Sequence, residues 1–456
     1  MSTVAPTLSP QAVIDMGRCL GCGTCAAMTD RPSSMGFDRY GQLKPTGEWR
    51  QHPTEIVART CPFSPYSANE DTIAAELYPD AEYDPHIGRF RAAYVGAAAA
   101  DFRNAGSSGG MVSWVASELL RRGLVDGVAH VKAVPDPEAN GRFFEYTISR
   151  TDEELRHGAH SRYYPTEISG VLDEIRRTPG RYAIIAVPCV TKAVNLVRRT
   201  DPVIGPRIAY TLGLFCGHMK SARFVESFAW QMGVPAREIT AVEFRKKDAS
   251  RPANWYRAQL TLRDGSVREQ DWWHLADGDW GAGYFMNSAC NYCDDVVAET
   301  ADVSFGDAWV EPYTSDGRGT NVVVVRSEAL AELIENGIAE QRLELKPVDT
   351  AFVVETQGAG FRQRREGLSY RLSLSKKQAS WPKRVRPAAD GISRRRKLIY
   401  RTRQGISAWS HRIFSSAKLL GTPALYTRWA DAAAAIYHGL TYSRGRLGKL
   451  FDRLGT

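Results

Sequence analysis

Three cysteines at two-residue gaps, Cys19, Cys22 and Cys25 in "RCLGCGTCAAMTDRP", constrain this chain more than any other feature of its sequence. Three soft ligands on so short a loop suit a metal centre better than an apolar core. The repeat then breaks, with Thr29 and Asp30 where a further cysteine and proline would continue it. Cys61-Pro62 in "ARTCPFSP" supplies that pair further along. Four more cysteines are scattered: Cys189 in "IIAVPCVTKA", Cys216 in "LGLFCGHMKS", and Cys290 and Cys293 in "SACNYCDD".

In the bacterial ferredoxin pattern the fourth cysteine of each run binds the other cluster. That accounts for the gap after Cys25, and Cys19, Cys22, Cys25 and Cys61 then form one complete [4Fe–4S] site. A zinc knuckle from the same thiolates is the competing reading. Successive two-residue gaps with Cys-Pro favour a cubane corner. For the remaining four, spacing leaves the choice open. Cys189 and Cys216 each close an apolar strand, where a free buried cysteine is commonplace. That position is also the carboxyl edge of an α/β sheet, where ligands bind. The Cys290/Cys293 pair arriving from another loop would complete a second site, and zinc or unrelated strand cysteines would give the same spacing.

The 456 residues, 43% hydrophobic and 24% charged, have the composition of a soluble globular protein of two or three domains. No apolar run is long enough to span a bilayer, and "MSTVAPTLSPQAVIDMG" has neither the basic start nor the apolar core of a signal peptide. A cytoplasmic protein is expected, and eight cysteines in that compartment point to metal binding, not disulfides. Charge is uneven. Residues 381 to 456 hold sixteen Lys and Arg against three Asp, whereas residues 1–380 hold 43 basic and 48 acidic side chains. A mildly acidic body therefore carries a basic tail.

Residues 1–88 are rich in turn formers, with a helical pattern only around Asn69 to Leu77, as expected for a small ferredoxin-like module. From residue 89 to 345, strand-like runs alternate with helical periodicity: "DGVAHVKAV", "PTEISGVLDEIRR", "RYAIIAVPC", "VTKAVNLVRR", "RIAYTLGLFC" and "SARFVESFAWQM". That alternation predicts a mixed, largely parallel α/β body. "YRAQLTLRDGSVREQDWW" reads as a hairpin turning at Asp-Gly, and "TNVVVVRSEALAELIENG" as a last strand and helix. Residues 346–380 connect to a helical basic tail, 381–456, through a linker in "SWPKRVRPAADGISRRRK".

"NAGSSGGMVSWVASELLRRGLVDGV", "AHSRYYPT", "VPCVTKA", "LGLFCGHMKS", "FRKK", "CNYCDDVVAETADVSFGDAW" and "GTNVVVVRS" resemble, in that order, the coenzyme F(420) hydrogenase/dehydrogenase beta-subunit family. The resemblance spans roughly residues 10–330 and rests on several ordered motifs. It implies a flavin-binding α/β body with [4Fe–4S] clusters, in which Cys189, Cys216, Cys290 and Cys293 are the body's cluster ligands. It also implies electron carriers of the ferredoxin or deazaflavin class. Relatives of the family include chlorophyll-reducing enzymes and proteins encoded near bacterial surface-polysaccharide genes.

Within the motifs, Ser107, Ser108, Gly109 and Gly110 precede a helical pattern, and small residues there let backbone N–H groups approach a flavin phosphate or ring. A plain serine N-cap is the simpler reading, and the resemblance reverses the preference. The G-x-S-x-G match of a hydrolase elbow lacks its strand, since "DFRNA" is a poor one, and would not explain the cysteines. Arg162 stands where relatives carry lysine in a Ser-Lys-Tyr segment, and keeps a positive charge for a reduced flavin or phosphate. Arg245 and Lys246 suit an anionic cofactor, with a solvated strand end as the alternative. Asp307 is expected to face the cofactor from a strand end. His218 is a candidate proton donor or a hydrogen-bond partner for the cluster. No Gly-x-Gly-x-x-Gly follows a strand, so a Rossmann-type NAD site has no support.

Together these features predict an iron-sulfur flavoprotein oxidoreductase with two [4Fe–4S] clusters and FAD, or FMN. The alternatives are a non-catalytic electron-transfer subunit and a zinc-stabilised scaffold that binds nucleic acid through its tail. The tail mixes Arg394, Arg395, Arg396, Lys397, Arg401 and Arg403 with Trp409, Ile413, Phe414, Leu419, Leu420, Trp429, Ile436 and Tyr437. Such a surface suits an anionic membrane and a lipid-linked glycan precursor, and no nucleic acid is expected. Packing of these helices on the acidic body is the competing outcome.

Overall fold

The computed structural model describes residues 5–374 and 384–453. The boundary expected near residue 380, and the first residues of the linker, lie outside the described residues.

The N-terminal segment folds in short pieces. Helices Pro10–Asp15, Glu55–Thr60 and Glu70–Leu77 each start at a side-chain cap, provided by Ser9, Thr54 and Asn69. Periodicity identified only the last, because the other two, at six residues each, barely complete a turn and a half. Strand β1 (Ser34–Phe37) pairs with β2 (Leu43–Thr46), and β3 (Glu82–Asp84) with β4 (Gly88–Phe90), both antiparallel.

From Ala92 the alternation read from the sequence takes over. The strands are β5 (Ala92–Ala98), β6 (Gly127–Ala133), β7 (Phe144–Ser149), β8 (Tyr182–Ala186), β9 (Ile208–Leu214), β10 (Ile239–Lys246), β11 (Arg257–Leu262), β12 (Val267–Asp271), β13 (Val303–Asp307), β14 (Asn321–Val325) and β15 (Leu343–Pro347). Eight of them form one sheet in the order β15-β5-β14-β13-β9-β8-β6-β7. The middle run β13-β9-β8-β6 is parallel, and antiparallel pairs flank it on both sides. β10, β11 and β12 form a separate antiparallel sheet, with the expected hairpin turning at Asp264-Gly265.

Both faces of the large sheet are covered, which is why its strands read as continuous apolar runs. Helices Met111–Arg121 and Glu328–Ala339 pack on Val323, Val325, Val303 and Phe305. On the other face, helices Ser169–Arg177 and Pro188–Thr200 pack on Tyr182 and Ile184 together with Leu20, Cys22, Val57, Ala58 and Phe63. The N-terminal segment thus shares a core with the body, and each such aliphatic side chain contributes about 1.5–3 kcal/mol on full burial.

Helices Arg394–Leu419, Pro423–Tyr442 and Gly445–Arg453 make up the described tail. Packing on the body is the arrangement adopted. Ile406, Phe414, Tyr426, Ala430 and Tyr437 are buried in one cluster with Phe224, Phe228, Phe244, Trp272, Tyr284 and Phe285. Tyr284 donates its hydroxyl proton to the Ala430 carbonyl at 2.6 Å, and the Phe285 N–H donates to Ser410 Oγ at 2.9 Å. Of the residues assigned to a membrane-facing surface, Phe414, Tyr437 and Arg403 are therefore turned inward, the two rings into this cluster and the guanidinium onto the Gly281 carbonyl. Trp409, Leu419, Leu420 and Ile436 remain exposed. No helix among the described residues is long and apolar enough to cross a membrane.

Candidate functional site

Cys19 and Cys22 lie in a loop and Cys25 in the four-residue helix Thr24–Ala27 that follows it. Gly21 makes the loop possible: its φ is +84°, and a Cβ there would come within 2.3 Å of the Leu43 carbonyl oxygen. Cys61 ends the helix Glu55–Thr60, with Pro62 preventing its continuation. The four sulfurs share one neighbourhood. Burial pushes the Cys22 thiol up to about 11 and Cys61 up to about 12, and nearby cysteines add to both shifts. Burial drives Cys25 well above the ordinary thiol range, with Cys22, Cys19 and Cys61 reinforcing it. The Cys22 carbonyl accepts the Ile168 N–H at 2.8 Å, which docks the loop at the start of helix Ser169–Arg177.

Cys189 follows β8 and Cys216 follows β9, adjacent parallel strands, so both stand at the same carboxyl edge of the sheet. Cys290 and Cys293 arrive on a 3-10 turn at Ser288–Tyr292. All four line one small cavity, together with Leu20, Phe63, Pro188, Met219, Ala289 and Arg364. Leu20 lies between Cys19 and Cys22, and Phe63 lies two residues beyond Cys61. The two quartets therefore share a wall. Burial again raises the thiols, Cys216 to about 12 and Cys293 to about 11, in both cases against the pull of Arg364.

This donor set fits iron-sulfur clusters. Cys22, Cys25, Cys61, Cys189, Cys216, Cys290 and Cys293, whose thiols resist ionisation alone, ionise readily on a metal.

His218 is buried beside this cavity. Its ring stacks on Trp280 at 4.2 Å, Nδ1 lies 3.5 Å from Arg403 Nη2, and Nε2 has no hydrogen-bond partner among the described residues. Burial, with Lys220, Arg403 and Arg364 nearby, holds the imidazole well below its ordinary pKa, so it is neutral near pH 7. Trp280 in turn meets Tyr163 at 4.7 Å, and Tyr163 interacts with Arg245 and Tyr256. A continuous run of rings leads from the second quartet to the carboxyl end of β13.

There Arg245 Nη1 pairs with Asp307 Oδ2 at 2.9 Å, and the guanidinium lies 4.3 Å from the Tyr256 ring. The Ser107–Gly110 loop packs against the same end of the sheet. Gly110 caps helix Met111–Arg121 at φ +78°, and a Cβ on it would meet the Phe102 carbonyl at 2.5 Å. The helix has no serine cap. The Met111 N–H is instead accepted by the Asn321 side chain at 3.1 Å. Ser107 Oγ accepts the Ser161 N–H at 2.9 Å, and Ser108 Oγ donates to the Thr320 carbonyl at 3.3 Å. Arg162 pairs with Glu243 at 3.1 Å and stacks on Phe144, leaving its buried Nε without a partner among the described residues. Segment 100–105, preceding the loop, is a helix, which removes the strand that a hydrolase elbow needs.

Lys246 does not join this group. It follows Arg245 on β10, and alternation turns it to the outer face, where it pairs with Glu269. Lys247, which motif reading passed over, reaches the Ser108 carbonyl at 2.8 Å and the Arg103 carbonyl. Burial lowers it to about 8, with Arg103 and Arg245 adding to the effect. Also unforeseen were Lys220, Arg364, Arg371 and Arg403, all buried around the second quartet. Burial lowers the Lys220 ammonium to about 7 against the pull of Asp277, and its Nζ donates to the Tyr284 carbonyl at 2.7 Å. Lys220 adjoins the Cys216 motif and was within reach of sequence reading. Arg364 and Arg371 sit in no motif, and Arg403 belongs to the basic tail surface expected to face a membrane.

Two family models match the chain. Residues 93–173 match the N-terminal part of the coenzyme F(420) hydrogenase/dehydrogenase beta subunit, and residues 180–351 match its C-terminal part. The chain is 20% identical, over 340 residues, to the coenzyme F(420)-dependent sulfite reductase of Methanocaldococcus jannaschii, covering 72% of this chain and 47% of that protein. It thus spans about half the length of this curated relative. Among solved structures it is similar to a chain of the F(420)-reducing [NiFe] hydrogenase complex from Methanosarcina barkeri, with a TM-score of 0.49 and 17% identity over 65% of this chain and 97% of that one.

Proposed function

The chain belongs to the coenzyme F(420) hydrogenase/dehydrogenase beta-subunit family, and from that premise we propose that it is an iron-sulfur flavoprotein oxidoreductase. It would pass electrons between a ferredoxin-like or deazaflavin carrier, two [4Fe–4S] sites, FAD and an organic substrate. The observation that carries this reading is the shared wall: Leu20 and Phe63, from the first cysteine motif, line the cavity of the second quartet.

Cys19, Cys22, Cys25 and Cys61 would hold one cluster, and Cys189, Cys216, Cys290 and Cys293 the other. When bound, the clusters supply single-electron sites, and a flavin converts these to two-electron chemistry. The chain's own residues set the conditions. Leu20, Phe63 and Met219 keep water from the second quartet, and Trp280 and Tyr163 bridge it to Arg245 and Asp307. Arg245, Lys247 and the orphaned Nε of Arg162 offer positive charge to a flavin phosphate or an anionic ring, with Tyr256 and Trp309 as flat partners. Ser107 to Gly110 would admit the nucleotide closely. His218, neutral and with a free Nε2, would hold a hydrogen bond toward the cluster region without contributing charge.

A role near surface-polysaccharide synthesis, on the inner face of a membrane, would use the exposed turn between the two long tail helices. Leu419 is 88% exposed and Leu420 66%, beside Lys418.

Anaerobic purification with quantitation of iron, sulfide and flavin tests the proposal. About eight irons and one flavin per chain are expected, since each cubane holds four irons. Cys61→Ala and Cys216→Ala should each lose about half the iron. Stoichiometric zinc without iron would overturn the assignment.

A further inference from the structure

Arg364 ends the helix Gly358–Arg364, beyond the residues that the family models match. Its guanidinium is buried in the wall of the second cavity. Nη2 donates to the carbonyls of Cys216 at 2.8 Å and Gly217 at 2.9 Å. Nε and Nη1 are buried with no hydrogen-bond partner among the described residues, and no carboxylate there pairs with the side chain. A buried cation with two idle donors is costly unless an anion faces it. What faces it are Cys293, Cys216, Cys290 and Cys189, which outweigh burial and raise its pKa.

We propose that Arg364 is the counter-charge of the second [4Fe–4S] site, directing Nε–H and Nη1–H at its anionic sulfurs and raising its reduction potential above that of the first site. The proposal rests on reading both quartets as cluster sites. Reduction adds one electron, and so one negative charge, to an assembly that is already anionic. A fixed cation and hydrogen bonds to sulfur both favour that reduced state. Both sites feel like charges, Glu167 on Cys22 and Asp294 and Asp295 on Cys293, and the first has cations of its own, since Lys44 Nζ donates to the Cys19 carbonyl and Lys192 reaches Cys61 through space. What sets the second site apart is the Arg364 guanidinium, acting on each of its four thiols. Arg403 and Lys44 act on Cys290 in the same sense as Arg364. Electrons entering at the first site would then run downhill to the second.

The test is an anaerobic redox titration of the full chain, with dithionite as the one-electron reductant and electron paramagnetic resonance as the readout. A Cys216→Ala form, keeping only the first site, assigns the signals. In Arg364→Gln the second signal should need a lower potential, so that its reduced-to-oxidised ratio at fixed potential falls about tenfold, or about 59 mV for a one-electron couple, while the first signal stays in place. Arg364→Lys keeps a charge without the planar fork and should fall between Arg364→Gln and wild type. A second midpoint that stays, rises, or moves together with the first overturns the proposal. Where Arg364→Gln loses iron, Arg364→Lys decides by the same criterion. Wild-type protein with no iron overturns this proposal together with the reading beneath it, whereas two loaded sites and an unmoved midpoint overturn this proposal alone.

Discussion

Asn287 donates its side-chain amide proton to the Leu20 carbonyl at 3.2 Å, across 267 residues of chain. The same side chain accepts the Ala289 N–H at 3.0 Å, and its backbone N–H reaches the Met219 carbonyl at 2.9 Å. One buried amide therefore ties the loop between Cys19 and Cys22 to the loops that carry Cys216 and Cys290. Removing it strands buried polar groups. Asn287→Leu should lower stability by about 1–3 kcal/mol in chemical denaturation, and an unchanged midpoint would show that the tie carries no load.

The tail should behave as core. Phe414 is fully buried against Phe285, Tyr426 and Trp230. Phe414→Ala should cost about 3–5 kcal/mol, as expected for an aromatic removed from a packed interior. A cost near zero, read by urea unfolding, would mean that the helices do not dock in solution.

Acid should weaken this docking through His411. Burial lowers its pKa to about 4, while its Nε2 lies 3.1 Å from the Met286 carbonyl. The unfolded imidazole titrates near 6.5, so between about pH 6.5 and 4 the unfolded chain binds the extra proton and stability falls as pH falls. Between pH 7 and 5 the wild type should lose about 2 kcal/mol through this residue, a loss absent in His411→Gln. Parallel pH profiles for the two proteins would contradict the assignment.

Because the tail is part of the core, deleting it cannot test membrane binding cleanly. The exposed turn can be changed instead. Leu419→Ser with Leu420→Ser should reduce pelleting with phosphatidylserine vesicles while leaving the unfolding midpoint unchanged, since both side chains are largely exposed. Equal pelleting of variant and wild type would exclude that turn as the contact.

Motif reading worked where the information is local. Cys19, Cys22 and Cys25 stand together on a loop and the short helix that follows it, and Asp307 ends its strand where "DVSFGD" indicated. It failed at Lys246 and Lys247, which are adjacent in sequence but differ in direction, and that direction is set by where β10 ends. It also failed at Phe414 and Tyr437, because an apolar stripe has the same period whether it covers lipid or protein.

By itself the sequence determined which thiols stand at short gaps and the strand-helix alternation, since thiol identity, spacing and apolar period are properties of neighbouring residues. Only the tertiary structure decided that Leu20 and Phe63 close the second cavity and that Arg364 and Arg403 surround it. Those contacts join segments far apart in the chain, and they arise from how a buried charge finds its partner once the sheet edge and the helices have packed.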